Sequence, residues 1–138
     1  MTNAAPAAHE ATHEAAHHVA HQVAERYIAT WNETAPDRRL ALIIEHWSDD
    51  AHYLDPMMQA SGHTGIDALI GAVQQRFPSC RFVLHGTPDG HNDRVRFSWS
   101  FAPAGGEPVA GGTDFVLLAA DGRIRSVSGF LDRVPEGA

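Results

Sequence analysis

An aspartate lies without any visible charged partner in one of the most apolar stretches of the chain. Asp114 is the single charged residue between Val109 and Ala120, a run typical of a mostly buried strand. Burying a carboxylate is costly unless the group is paired, hydrogen-bonded or protonated. Asp114 is therefore either part of a functional site or a core carboxylate whose hydrogen bonds are satisfied.

A tyrosine and a second aspartate complete a set of groups that could move protons. Tyr27 shares a helical apolar stripe with Val23 and Trp31, so its ring should be buried while its hydroxyl seeks a partner. Asp55 ends a short apolar strand before Pro56, where an aspartate often only caps the following turn. The more solvated acid can act as a base, whereas a buried acid can stay protonated and donate a hydrogen bond.

The composition of the chain argues against several kinds of binding partner and cellular location. The chain has 138 residues, which fits one domain, and its net charge of −7 argues against nucleic acid or an anionic membrane as partner. The single cysteine, Cys80, excludes an internal disulfide and has no metal-ligand spacing. The N-terminal residues lack the pattern of a signal peptide, and no run is long enough to span a bilayer. We therefore expect a cytoplasmic protein without a cofactor.

The periodicity of apolar residues predicts the helices and strands that carry these side chains. Apolar residues at helical spacing predict three helices, at 9–34, 36–47 and 64–77. The second should bury Leu40, Ile43, Ile44 and Trp47, and the third should be capped by Thr64, with Asp67 completing a weak capping box. Alternation and apolar runs predict strands, at 51–55, 80–87, 94–102, 109–120 and 123–132.

The connections and the grouping of these elements indicate the fold class. The stretches 57–65 and 89–93 are expected to be a loop and a turn, and Asp121-Gly122 is a hairpin signal. Helices before strands favour an α+β fold, in which three N-terminal helices wrap a curved, mostly antiparallel sheet. The space between them would be a conical pocket for a small apolar molecule. The expected wall residues are Trp31, Tyr53, Met57, Phe97, Trp99, Val116 and Phe130.

Histidines recur at every fourth position near the N-terminus. His9, His13, His17 and His21 follow this spacing, which keeps neighbouring side chains on one helical face. One interpretation is a solvated or partner-facing helical extension over residues 1–19. The other is adventitious binding of zinc, nickel or copper by imidazole pairs. The pattern contains no cysteine and predicts no catalytic metal.

Four motifs resemble those of bacterial ketosteroid isomerases and, more broadly, the nuclear transport factor 2-like superfamily with its SnoaL-like branch. They are ERYIATWN at 25–32, SDDAHYLDP at 48–56, GTDF at 112–115 and DGRI at 121–124. The resemblance covers about residues 20–133. It implies a single SnoaL-like cone domain over residues 20–138, and a homodimer.

The resemblance also implies roles for the three polar residues. Asp55 matches the proton-shuttling base of the isomerases, and Tyr27 and Asp114 match their two oxyanion-hole donors. The implied reaction is proton abstraction alpha to a carbonyl, or the aldol closure of SnoaL-like polyketide cyclases with Asp114 as acid or base. A non-catalytic ligand-binding or dimerisation module of the same fold is the alternative. Limonene-type epoxide hydrolysis is disfavoured, because Arg96 is followed by Ser98 where that chemistry needs an aspartate.

Overall fold

The computed structural model describes residues 4–134, and it describes side chains from Glu14 onward. Three helices occupy the first half of the chain. They are α1 (Ala4–Asn32), α2 (Pro36–His46) and α3 (Gly62–Arg76). Helix α1 continues unbroken through residues 19 and 20, and Ala20 packs so closely on Gly90 that an added Cβ there would lie 3.0 Å from the alanine methyl.

Six strands form one sheet in the order β2-β1-β6-β5-β4-β3. Their bounds are β1 Trp47–Leu54, β2 Gln59–Ser61, β3 Cys80–His91, β4 Arg94–Pro103, β5 Ala110–Leu118 and β6 Ile124–Arg133. Strands β3 to β6 form the predicted antiparallel meander, and β1 joins β6 in parallel. The predicted α+β class, with helices packed against a curved and mostly antiparallel sheet, is confirmed.

Three strands depart most from the prediction. Strand β2 lies within the expected loop 57–65, where three residues are too few for alternation in the sequence to predict a strand. Strand β1 begins at Trp47 rather than 51, because Ser48-Asp49-Asp50 has the composition of a turn. After a register shift between His85 and Asp89, strand β3 continues to His91, into the expected turn 89–93, and the chain reverses at Asn92.

Helix α3 lacks the predicted cap. It begins at Gly62, and its N-cap residue, Ser61, makes no side-chain capping bond, so the assignments of Thr64 and Asp67 to a capping box were wrong. Asp67 instead accepts a hydrogen bond from Arg39 Nε at 2.7 Å. This partly buried ion pair joins α2 to α3.

A network of hydrogen bonds centred on Arg39 joins the three helices. Arg39 is 6% exposed, whereas Ile44, expected in the core, is 51% exposed. Arg39 Nη1 donates to Gln74 Oε1 at 2.7 Å, and Gln74 Nε2 donates to the Trp31 carbonyl oxygen at 2.9 Å. The last turn of α1 is therefore fixed to α3 at the point where Trp31 enters the core.

The inner face of the sheet carries the predicted alternation. The side chains of Val95, Phe97, Trp99 and Phe101 on β4 are buried against the helices. Arg94 and Arg96 are on the opposite, outer face. Within the described residues, no helix is both long and apolar enough to cross a membrane.

Candidate active site

A small cavity lies between the helices and the inner face of the sheet. Its volume is about 230 Å³, and its wall is mostly aromatic and aliphatic. The residues with polar side chains in its wall are Tyr27, Tyr53, Asp55 and Arg76. Because ligand pockets usually measure roughly 300–1,000 Å³, this cavity suits a small molecule.

A second recess, of about 380 Å³, is larger but opens on the outer face of the sheet. It is lined by groups such as Asp89, Arg94 and Ser128. The strongly perturbed and unpartnered polar groups of the described residues surround the inner cavity instead. We therefore take the inner cavity as the candidate site.

Asp55 lies in the cavity wall at the end of β1. Its Oδ1 accepts hydrogen bonds from the backbone N–H groups of Met57 and Met58, at 2.8 and 2.9 Å. Its Oδ2 accepts the Tyr53 hydroxyl at 2.6 Å. The turn-capping interpretation is confirmed, and it coexists with exposure to the cavity. A carboxylate has about four lone-pair sites, so one remains open to a ligand.

Tyr27 projects from α1 into the same cavity. Its ring packs against the rings of Phe97, Trp47 and Trp31, at centroid distances of 4.9, 5.7 and 6.1 Å. Burial, followed by the charge of Asp114, raises the pKa of Tyr27 well above its ordinary value. The phenol therefore stays protonated and can donate a hydrogen bond across the physiological pH range.

Asp114 is buried behind the cavity wall rather than in it. It is 1% exposed, and within the described residues neither carboxyl oxygen has a hydrogen-bond partner of acceptable geometry. Burial raises the pKa of Asp114, and the nearby Tyr27 hydroxyl and Trp99 N–H offset part of that rise. The resulting pKa is about 6. The raised direction matches the expectation. However, a pKa of about 6 leaves most of the group ionised at pH 7, so the neutral form predominates only in mildly acidic solution.

Two glycines allow these polar groups to meet. Gly129 on β6 pairs with Asp114, and an added Cβ would lie 2.9 Å from Asp114 Oδ1 and 3.1 Å from Asp55 Cβ. The same Cβ would lie 3.6 Å from the Tyr53 hydroxyl. At Gly112 an added Cβ would lie 2.6 Å from Trp99 Cζ2, so the indole fills the space next to Asp114.

Sequence reasoning missed Gly129. The available signal was a glycine within the predicted last strand, but its partners follow from the pairing of β1, β6 and β5. Strand register is a tertiary property that a single strand does not reveal.

Four of the seven predicted wall residues line the cavity, and three do not. Trp31, Tyr53, Met57 and Trp99 are in the wall. Phe97 packs edge-on against Tyr27, and Val116 is buried in the core outside the cavity. Phe130 is 56% exposed on the outer face, because alternation along β6 turns Gly129 and Leu131 inward instead. Unpredicted wall residues include Val73, Arg76, Phe77, Phe82 and Leu131.

The histidine stripe lies away from this cavity. The side chains of His9 and His13 are outside the described residues, and His17, His18 and His21 line an open surface recess with Glu14. His21 Nε2 lies 2.8 Å from Glu25 Oε1 on the helix surface. Among the described side chains, no group of three or more potential ligands is arranged to hold a metal ion.

The architecture belongs to a known fold class. A curved sheet and three helices around an apolar cavity with a polar end make this a protein of the nuclear transport factor 2-like fold. The sequence profile of the SnoaL-like domain matches residues 24–127, which is most of the chain. The chain therefore belongs to the SnoaL-like domain family.

Solved structures agree with this assignment. One is a provisionally assigned isomerase of the SnoaL-like family from Agrobacterium tumefaciens, 49% identical, with a TM-score of 0.79 over 82% of this chain and 97% of that one. Another is a provisionally assigned ketosteroid isomerase from Kribbella flavida, 17% identical, with a TM-score of 0.64 over 88% and 83% of the two chains.

A third is a provisionally assigned polyketide cyclase from Sinorhizobium meliloti, also 17% identical, with a TM-score of 0.60 over 78% and 93%. At 17% identity the latter two likenesses show the fold alone. A search among curated proteins gives no significant match.

Proposed function

We propose that the protein catalyses proton transfer alpha to a carbonyl group, in an isomerase- or cyclase-like reaction on a small apolar substrate. The observation that carries the proposal is the shared cavity, because Asp55 and Tyr27 line the same small apolar space. The description of the 49% identical relative as an isomerase supports it.

The steps follow from the groups present. Asp55 takes a proton from the carbon next to the substrate carbonyl, and the C–H electron pair moves toward the carbonyl oxygen to give an enolate. Tyr27 donates a hydrogen bond to that oxygen. Asp114, which the resemblance implies as a second donor, is buried behind the wall and is not among the residues that line the cavity. Returning the proton to the gamma carbon of a β,γ-unsaturated ketone gives the conjugated isomer and regenerates the Asp55 carboxylate.

Cavity size restricts the substrate. About 230 Å³ lies below the usual range for ligand pockets, and Trp31, Phe82 and Trp99 narrow the space. A single-ring ketone is therefore a better candidate than a steroid. The substrate class is a small apolar ketone with an acidic alpha C–H.

The experiment that tests catalysis is deuterium exchange. Single-ring ketones are incubated with the protein in deuterated buffer, and loss of the alpha proton signal is followed by NMR. We expect exchange well above the buffer rate for at least one β,γ-unsaturated cyclic ketone. Binding without exchange across the panel would reject catalysis.

A non-catalytic ligand-binding module is the second candidate. It is favoured by the three hydrogen bonds of Asp55, since the turn cap and the Tyr53 contact would explain that carboxylate without chemistry. Such a module would bind the same ketones in the same cavity, with affinity that does not depend on the ionisation of Asp55.

We further propose that the chain is a cytoplasmic homodimer that pairs through the outer sheet face. That face carries exposed apolar side chains, among them the edge-on pair Phe115 and Phe130 with centroids 5.7 Å apart. We expect Phe130→Asp to convert a dimer into a monomer in sedimentation analysis. Ile44→Asp, which changes an exposed apolar residue on α2, serves as the control. A wild-type monomer, or equal dissociation of both variants, would reject this surface.

A further inference from the structure

A cationic side chain lies in the wall of the inner cavity. Among the described residues that line the cavity, Arg76 and Asp55 are charged and all the others are neutral. The reaction proposed above uses the Asp55 carboxylate and gives Arg76 no part. An arginine beside a small and otherwise apolar space is uncommon, so we asked what its guanidinium group would bind there.

The position of Arg76 follows from the spacing of residues on α3. Ala72, Val73, Arg76 and Phe77 all line the cavity, and residues three and four apart lie on one face of a helix. A helical side chain leans toward the preceding turn, which for Arg76 is the turn that carries Ala72. The small methyl group of Ala72 leaves room there for the long arginine stem.

The guanidinium group itself is held beside the cavity. Arg76 Cζ lies 5.4 Å from the centroid of the Phe77 ring, and Phe77 is also a wall residue. The Phe77 ring packs edge-on against Phe101, with centroids 5.6 Å apart, so the ring that supports the arginine is fixed. Because a cation is attracted to the face of an aromatic ring, this contact keeps the charged end of Arg76 near the cavity.

The guanidinium group of Arg76 is accessible and has no anionic partner in the part of the chain that the structure describes. Its side chain is exposed, and it forms no ion pair with Asp55 or with any other described carboxylate. Arg39, by contrast, is buried and paired with Asp67. The donors of Arg76 are therefore open to a ligand without the loss of a contact within the protein.

We propose that Arg76 binds a carboxylate group of the ligand, so that the substrate is a small keto acid rather than a neutral ketone. The planar guanidinium fork can donate two parallel hydrogen bonds to the two oxygens of a carboxylate. This inference rests on the cavity assigned in the proposed function and narrows its substrate class. It concerns binding and does not require catalysis.

The charges of the cavity would also orient such a ligand. Asp55 repels a carboxylate and the exposed Arg76 attracts it, so the ring and its carbonyl group would enter the aromatic interior while the carboxylate stays at the solvent-facing Arg76. The net charge of −7 gives the protein no general attraction for anions. A preference for a carboxylate would therefore come from this local cation.

Calorimetry with a matched pair of ligands tests the inference. The probes are 3-oxocyclohexane-1-carboxylate and 3-oxocyclohexane-1-carboxamide, which have similar size and differ in charge. Affinities are measured at neutral pH and low ionic strength, where an exposed charge pair is least screened. We expect wild type to bind the carboxylate about fivefold or more tightly than the carboxamide, as a charge-assisted hydrogen bond predicts. Equal affinities, or tighter binding of the carboxamide, would overturn the inference without reference to any variant.

Three variants assign this preference to Arg76. Arg76→Gln should weaken carboxylate binding about fivefold or more and change carboxamide binding by less than about twofold. Arg76→Lys should bind the carboxylate with intermediate affinity, because an ammonium keeps the charge and loses the fork. Arg81→Gln is the control, since Arg81 is also exposed but does not line the inner cavity, and it should leave both affinities unchanged.

The outcomes separate this inference from the proposed catalysis. Equal losses of both ligands in Arg76→Gln would contradict it, because they would show a packing role, and so would an equal loss of carboxylate binding in Arg81→Gln. Selective carboxylate binding that depends on Arg76, without deuterium exchange of the keto acid, would support the inference and reject catalysis. Exchange of the keto acid without any preference over the carboxamide would reject the inference and leave the proposed function in place.

Discussion

Replacing Asp55 with asparagine is expected to lower kcat/KM for ketone isomerisation by about 10²–10⁴-fold, the usual contribution of a positioned general base. The substitution preserves size and most local contacts. Asparagine Oδ1 can still accept the Met57 and Met58 N–H groups, and its amide can donate to the Tyr53 hydroxyl in place of accepting from it. The turn should therefore survive while the basic lone pair is lost.

The measurement is a steady-state assay of double-bond migration in a β,γ-unsaturated single-ring ketone, followed by absorbance of the conjugated product. Asp49→Asn is the matched control, because Asp49 is also on β1 but is exposed and outside the cavity. Thermal melts of both variants check that the fold is intact. Activity in Asp55→Asn within a few fold of wild type would remove Asp55 as the base.

Replacing Asp114 with asparagine is expected to stabilise the protein at neutral pH by about 3 kcal/mol, with a gain that fades in acid. Burial raises the pKa of Asp114 from 3.8 to about 6 in the folded protein. Between these values the folded state binds more proton than the unfolded chain, so the free energy of unfolding falls as pH rises from about 4 to 6. Above that window the loss is complete, at about 1.4 kcal/mol for each unit of pKa shift.

Asparagine cannot ionise, so Asp114→Asn should escape this loss. The test compares urea unfolding of wild type and variant at several pH values from 4.5 to 7.5. The difference in unfolding free energy should grow by roughly 2 kcal/mol between pH 4.5 and pH 7. Asp93→Asn, at an exposed ion pair with Arg94, is the control and should give a difference with a much weaker pH dependence. A constant difference for Asp114→Asn would mean that Asp114 titrates no differently in the folded and unfolded chains.

The fold was more accessible to sequence reasoning than the site. Periodicity identified the helices and the four-strand meander because each signal lies within one element. The sequence also singled out Asp55, Tyr27 and Asp114, since polar groups in apolar runs are visible locally. It did not reveal that Asp114 lies behind the cavity wall or that Gly129 lies between the two carboxylates, because both depend on strand register.

The remaining errors share a physical origin. Phe130 was expected to face inward, but one step along a strand reverses the face of a side chain. Asp67 was expected to cap its own helix, but a buried arginine from α2 competes for the same carboxylate. In both cases contacts distant in sequence outweighed the local pattern.

Asp55 both caps a turn and lines the cavity. An aspartate at this position in a related sequence therefore does not by itself indicate a catalytic site. Because the Asp55 carboxylate accepts hydrogen bonds from the Met57 and Met58 N–H groups, selection for a stable fold would retain it even in relatives without catalytic activity. Gly129, by contrast, is not part of a turn. Its missing side chain leaves the space in which Asp55, Tyr53 and Asp114 come close together. In surveys of relatives, glycine at this position should therefore diagnose a working polar cluster better than the aspartate does.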